Sequence, residues 1–237
     1  MVFTAHHDTI DYRTINDQDL PKGMDGFRVF FISDIHRRNI RISTIKSITK
    51  QIDIVAIGGD LTEKGVPLER TKNNIRTLKR LGAPIYFVWG NHDYDGSHTN
   101  LHKMLLAEDV TVLSDASEVI TKNNESINII GFDYHRYNEE RPEVYMMEDY
   151  YTILLTHVPS SFFELNSKIQ NRINTVLAGH THGGQIRFYL FGYYQKGGMK
   201  RLENTNVFIS EGYGYTMLPF RLQTKSECHV LTFKCTK

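Results

Sequence analysis

Residues 28–36 read RVFFISDIH: four apolar side chains in a row, Val29 to Ile32, and then Ser, Asp and His. A continuous apolar run of this length is the pattern of a strand covered on both faces. The polar residues after it belong to the turn that leaves the strand. The pattern recurs at DIVAIGGD (53–60), PIYFVWGNHD (84–93), TILLTH (152–157) and NTVLAGHTH (174–182). In open α/β sheets, ligands bind just beyond the carboxyl ends of the strands. Strand ends that all carry Asp, Asn or His therefore point to one shared site, assembled from loops far apart in sequence.

The intervening segments set the architecture. Ile42, Ile45, Ile48 and Ile52 recur at helical spacing and predict a crossover helix. Residues 67–81 predict a second helix, opened by Pro67 and stopped at Gly82. His98 to Glu108 predicts a third, with Leu101, Met104 and Leu105 on one face. This alternation argues for a layered α/β fold. Beyond residue 110 the rhythm changes to short strands, VTVL, EVIT and INIIGF, and residues 185–234 read as all-β with turns at Gly192, Gly197-Gly198, Gly212 and Gly214. A second sheet packed on the first is expected. The polar segment 1–26 is expected to be a strand or arm that packs on the domain edge, and the charged segment 135–150 an exposed helix or excursion. No composition shift divides the chain, so residues 1–237 are expected to form a single domain.

The formal net charge of +1 gives the chain no overall bias toward nucleic acid or anionic lipid. Cys228 and Cys235 make no disulfide framework and no zinc-type pair, and read as reduced thiols. No apolar run reaches the length of a membrane span, and the N-terminus has no basic start followed by an apolar run. The expected location is cytoplasmic, with contact at a membrane surface as a further possibility.

The polar residues at the strand ends suit divalent cations. Asp34 and His36 alternate about one residue, so both side chains leave an extended segment on the same side. Asp60 follows two glycines, which allow a turn and a close approach. Asn91 offers a neutral carbonyl oxygen and His92 a proton donor or acceptor. His157 adds an imidazole. In Gly179-His180-Thr181-His182-Gly183-Gly184-Gln185, two imidazoles on a tight loop can supply one nitrogen to each of two cations. A pair of cations also needs a bridging carboxylate, and Asp60 is the natural choice.

In this order the set resembles the calcineurin-like metallophosphoesterase superfamily: Asp-x-His, Gly-Asp, Gly-Asn-His-Asp, a lone His, and Gly-His-x-His, from Asp34 to His182. GHTHGGQI, with Gly212, Gly214 and LPFR (218–221) after it, looks like a bacterial single-domain branch. The resemblance implies a β-sandwich flanked by helices. It implies a first metal held by Asp34, His36, Asp60 and His182, and a second held by Asp60, Asn91, His157 and His180. It implies that His92 faces the substrate as an acid for the leaving group. The implied activity is hydrolysis of a phosphate monoester or diester through a metal-bridging hydroxide. The mixed His, Asp and Asn set suits Mn, Zn or Fe better than Mg or Ca.

The chain departs from that pattern in two places. Arg37-Arg38-Asn39 follow His36 where relatives often carry glycine, so Arg37 and Arg38 are candidate substrate contacts. Glu63 stands where an Asp commonly orients the catalytic His, and is expected to hold His92. The intact ligand set argues against an inactive scaffold, and the neutral charge with no basic tract argues against a nuclease. Phe188 to Tyr194, just after the second His loop, is rich in aromatics. It raises a second reading, a membrane-surface hydrolase of a phospholipid or lipid-linked sugar nucleotide such as UDP-2,3-diacylglucosamine.

Overall fold

A computed structural model describes residues 1–134, 150–189 and 191–236. The excursion expected at 135–150 lies outside them as far as residue 149.

Among the described residues, twelve strands form two six-stranded sheets. The strands are β1 (Asp8–Asp17), β2 (Arg28–Ile32), β3 (Ile54–Ile57), β4 (Ile85–Phe87), β5 (Val110–Val112), β6 (Ala116–Lys122), β7 (Glu125–Gly131), β8 (Tyr151–Thr156), β9 (Thr175–Ala178), β10 (Gly198–Leu202), β11 (Thr205–Ile209) and β12 (Ser226–Cys235). The first sheet has the order β1-β12-β2-β3-β4-β5 and the second β10-β11-β9-β8-β7-β6. In the first, β2 to β5 are parallel and β12 runs against β2. In the second, β7, β8, β9 and β11 are parallel, with β6 and β10 antiparallel at the edges. Two mixed sheets flanked by helices are therefore the architecture, as the strand pattern predicts.

The continuous apolar runs have a physical cause. Alternate residues of each strand face different hydrophobic layers. Val29, Phe31, Ile54 and Ala56 pack between the sheets against Ile129, Ile153, Leu177 and Phe208. Phe30, Ile32, Val55 and Ile57 face outward, where Ile75 and Leu78 of the helix Leu68–Leu78 and Leu101 and Leu105 of the helix His98–Ala107 cover them. On the far side, Ile130, Leu154 and Val176 are covered by Phe162 and Ile169. Strands dry on both faces cannot alternate in polarity.

One expectation is corrected. The helix predicted across 42–52 spans only Ile42–Lys46. Its sequence, ISTIKSITKQI, is dominated by β-branched residues and serines, which lose side-chain freedom in a helix or bond their own backbone instead. Ile45 and Ile52 are buried all the same. The N-terminal segment, expected as a strand or arm on the domain edge, contains a ten-residue strand, β1, at the edge of the first sheet and paired in parallel with β12. The two chain ends are thereby joined at one sheet edge. No helix among the described residues is long and apolar enough to cross a membrane.

Phe208 sits fully in the inter-sheet layer, its ring 6.1 Å from that of Phe31 and edge-on to it. Phe208→Ala should cost about 3–5 kcal/mol of stability, as for other buried aromatic truncations. Chemical denaturation measures this directly. A loss below about 1 kcal/mol would mean that the inter-sheet layer does not dominate the stability of the fold.

Candidate metal centre

The parallel strands deliver their carboxyl ends to one edge of the sandwich. There the chain must turn sharply while aiming polar side chains inward. Five of the expected ligands do this with left-handed backbone: Asp34 (φ 54°), His36 (51°), Asp60 (50°), His180 (70°) and His182 (49°). Such conformations are uncommon for residues other than glycine and cost roughly 1–3 kcal/mol each. They persist because the surroundings fix them. The amides of Ile35 and His36 both reach the carbonyl of Asp60, at 2.8 and 3.1 Å, and that of Asp34 reaches Gly59 at 3.0 Å. The amides of Tyr213 and Gly214 reach the carbonyls of Ser33 and Asp34 at 2.9 and 2.6 Å.

Two glycines are required by close approach. Gly59 has φ 82°, and a Cβ there would stand 2.6 Å from His157 Nδ1. A Cβ on Gly179 would stand 2.5 Å from Asp34 Oδ2. Both positions let ligand side chains from neighbouring strands lie against bare backbone.

Seven side chains converge: Asp34, His36, Asp60, Asn91, His157, His180 and His182. On one side, His36 Nε2 and His182 Nε2 are 3.1 Å apart, with Asp34 Oδ1 3.5 Å from the latter. On the other, His180 Nδ1 is 3.1 Å from both Asn91 Oδ1 and His157 Nε2. Asp60 lies between them, its Oδ2 3.2 Å from His157 Nε2 and 3.7 Å from His36 Nε2. Its Oδ1 accepts a hydrogen bond from the His92 amide at 2.8 Å. Ligand atoms of Asp34, His36 and His182, of His36, Asp60 and His92, and of Asp34, Asp60 and His157 each fall within 4.8 Å of one another. Facing imidazole nitrogens ringed by buried carboxylates form the N/O set that borderline divalent ions take. The residues present fit a divalent metal.

Electrostatics agree. Burial raises the Asp34 carboxyl above its ordinary pKa, with Asp60 adding to the rise. Asp60 is equally buried, but His157 and His36 around it hold its carboxyl well below the usual range. Burial opposes charge on His157, yet Asp60 and Asp34 raise it to about 9. Burial and the neighbouring His157 push His180 down to about 4. Lone pairs this crowded are shared with protons or with cations, so metal binding here releases protons.

Around this centre the structure redistributes the expected supporting roles. His92 is half-exposed at the cleft, and its ring stands 5.1 Å from that of His36. The carboxylate beside it is Asp95, with Oδ2 2.8 Å from His92 Nδ1. Glu63, expected there, instead stands with Oε2 3.1 Å from His36 Nδ1, and its other oxygen accepts from Arg37. Arg37 lines the cleft beside Glu63. Arg38 does not: it is buried, 2.5 Å from Asp8 Oδ1 and donating to the Tyr213 carbonyl at 2.8 Å. It ties the N-terminal arm to the 213 loop, so its expected contact with substrate is not met.

Two residues beyond the expected set matter here. Asp93 is buried and accepts from the amides of Gly90 and Thr62 at 2.9 and 3.0 Å, which fixes the loop that carries Asn91 and His92. Burial and Asp60 raise its pKa to about 7. Arg221, the last residue of LPFR, is fully buried. Its Nη2 lies 2.6–3.0 Å from the carbonyls of Glu211, Gly212 and Gly214 and 3.2 Å from His182 Nδ1. The sequence signal for Arg221 was its place in that motif; its contacts are with the loop at 211–214 just before it and with His182, far away in sequence. Asp60, Asn91, His180 and His182 line a cleft of about 590 Å³ whose walls include Lys64, Gln185, Tyr193, Tyr194 and Met217.

Residues 27–184 match the family model for the calcineurin-like phosphoesterase. The Bacillus subtilis (strain 168) protein YpbG is 39% identical over 215 residues, covering 89% of this chain and 82% of the relative. The metallophosphoesterase YkuE of the same strain is 28% identical over 262 residues, covering all of this chain and 87% of the relative. Among solved structures, the phosphopantetheinyl hydrolase PptH of Mycobacterium tuberculosis superposes with a TM-score of 0.51 at 13% identity, over 81% of this chain and 91% of that one, which shows the shared fold. A sandwich of mixed sheets, a converged N/O ligand cluster at its strand ends and a family match across two-thirds of the chain lead to one conclusion: the chain belongs to the calcineurin-like phosphoesterase family and is a metal-dependent phosphoester hydrolase.

Proposed function

We propose that this chain hydrolyses a phosphate ester, monoester or diester, at a centre built for two divalent cations. The observation that carries this reading is the position of Asp60, whose Oδ2 stands 3.2 Å from His157 Nε2 and 3.7 Å from His36 Nε2. One carboxylate thus serves both ligand groups. Asp34, His36, Asp60 and His182 would hold one cation, and Asp60, Asn91, His157 and His180 the other. The mixed set favours Mn, Zn or Fe. When bound, the cations supply Lewis-acid activation of water and of the phosphoryl oxygens.

The chain's own groups do the rest. His92 reaches the cleft from the turn after Asn91 and carries the proton for the departing oxygen. Its Nδ1 is held by Asp95, which leaves Nε2 to face the substrate. Glu63 acts on His36 instead, fixing the ring whose Nε2 faces the cluster. Arg37 at the cleft wall is the contact for a non-bridging phosphate oxygen, with its Nε bonded to Glu63 so that the fork is oriented. Lys64 adds a second positive charge at the mouth. A small-molecule phosphate ester fits a cleft of about 590 Å³.

His92→Ala should retain bound metal and lower turnover of an alkyl phosphate ester by about 10²–10⁴, the usual contribution of a general acid. A nitrophenyl ester, whose leaving group needs no proton, should lose much less. Equal losses on both esters, or loss of metal, would remove His92 from this role.

The exchange of partners between Glu63 and Asp95 separates two variants. Glu63→Gln should weaken metal affinity by about 10–100-fold, as for other partners of ligating imidazoles. Asp95→Asn should leave metal content unchanged and lower turnover of the alkyl ester. Metal titration followed by steady-state kinetics reads both. If Asp95→Asn strips metal while Glu63→Gln does not, the two assignments are reversed.

A further inference from the structure

The mouth of the cleft carries an apolar surface that hydrolysis alone does not explain. Tyr193 is 88% exposed and Met217 93% exposed, and both line the cleft. Phe191 is 81% exposed on the turn closed by a two-way backbone pairing of Phe188 with Phe191. Leu218 follows Met217 and is exposed as well. These residues share one structural unit. Gln185 bonds the carbonyls of Thr216 and Leu218, and Ile186 pairs with Leu222. The N-terminal helix Val2–His6 adjoins it: the Arg221 amide reaches the Met1 carbonyl at 3.2 Å, and the ring of His6 lies 5.4 Å from that of Tyr215. That helix adds Phe3, 75% exposed. Apolar surface grouped in this way marks an interaction site.

Charge decides what covers it. The segments 185–189, 191–202 and 212–226, which build the rim, contain Arg187, Lys196, Lys200, Arg201, Arg221 and Lys225 and not one Asp or Glu. Of these, Lys196, Lys200, Arg201 and Lys225 are exposed; Arg201 lies 3.6 Å from Asp17, and Lys196 and Lys225 border a notch shared with Asp11, Glu211 and Glu227. Beside the rim, His6, Arg37, Arg41 and Tyr215 border a notch of about 250 Å³. The segments that carry the apolar side chains thus bring cations and no carboxylate of their own, in a chain whose net charge is only +1. In a symmetric pairing of two copies, such a patch would meet itself and set like charges together. An anionic lipid surface offers the complementary charge and an apolar layer beneath it, where Tyr and Phe insert and Lys and Arg stay at the headgroups.

We propose that this rim is a membrane-docking surface that seats the mouth of the cleft on an anionic lipid bilayer. Docking is a property of the surface and does not require turnover. That the ester attacked is itself carried by a lipid follows only if the hydrolytic reading above also holds.

The test is cosedimentation of the full chain with vesicles of phosphatidylcholine, with and without phosphatidylglycerol. The wild type should sediment with the anionic vesicles, less with the zwitterionic ones, and less as salt is raised. Phe188→Ser with Phe191→Ser should lower partition by roughly tenfold or more. Lys196→Glu with Lys200→Glu should lower it on anionic vesicles only. Phe188 and Phe191 lie outside the cleft wall, so the aromatic variant should keep wild-type metal content, melting temperature and turnover of a soluble aryl phosphate ester. A wild type that stays in the supernatant with both vesicles overturns the proposal, as does an aromatic variant that binds as tightly as wild type. Sedimentation equilibrium showing a dimer that the aromatic variant abolishes would assign the surface to a second copy and overturn it too. A chain that docks yet hydrolyses no ester would sink the hydrolytic reading and leave the docking surface standing.

Discussion

Asp60 is a carboxylate almost wholly removed from water and placed where two groups of imidazoles meet. An isolated charge there would be too costly to bury. It is stable only because His36 and His157 flank its Oδ2 while its Oδ1 takes the His92 amide. Those partners come from the ends of β2, β8 and β4, so the carboxylate holds loops from both sheets in register. The left-handed backbone at Asp34, His36, Asp60, His180 and His182 is the cost of aiming so many polar groups at one point. The sandwich beneath, dry on three layers, supplies the rigidity that sustains it.

Much of this was legible in the chain. Parallel strands covered on both faces lose polar alternation, so RVFFI, DIVAI and TILLT announce themselves as buried strands and their last residues as a common edge. The ligand letters follow at once, because only the turns after such strands reach that edge. The pairing of β1 with β12 was not legible, since it joins the two ends of the chain and no local pattern encodes it. The helix at 42–52 misled because the spacing of its isoleucines records burial, while β-branching and serines decide the backbone.

Supporting contacts were harder to read than ligands. Glu63 stands in the position expected to hold His92, but its longer side chain reaches His36. Asp95 is three residues beyond His92 across one helical turn, a spacing that places the two side chains together. That signal was local and available. Arg38 stands two residues after the Asp-x-His motif, yet its partner Asp8 lies at the start of β1, thirty residues earlier. A guanidinium is claimed by whichever carboxylate the fold brings near it. The aromatic run at 188–194 was ambiguous between core and rim by sequence, and the exposure of Phe191 and Tyr193 decides for the rim.

One carboxylate is proposed to organise a pair of cations between two groups of histidines. Anomalous X-ray diffraction from crystals grown with Mn²⁺ tests it most directly. Two anomalous peaks are expected on either side of the Asp60 carboxylate, one beside His36 and His182 and the other beside His157 and His180. A single peak, or peaks remote from Asp60, would contradict it.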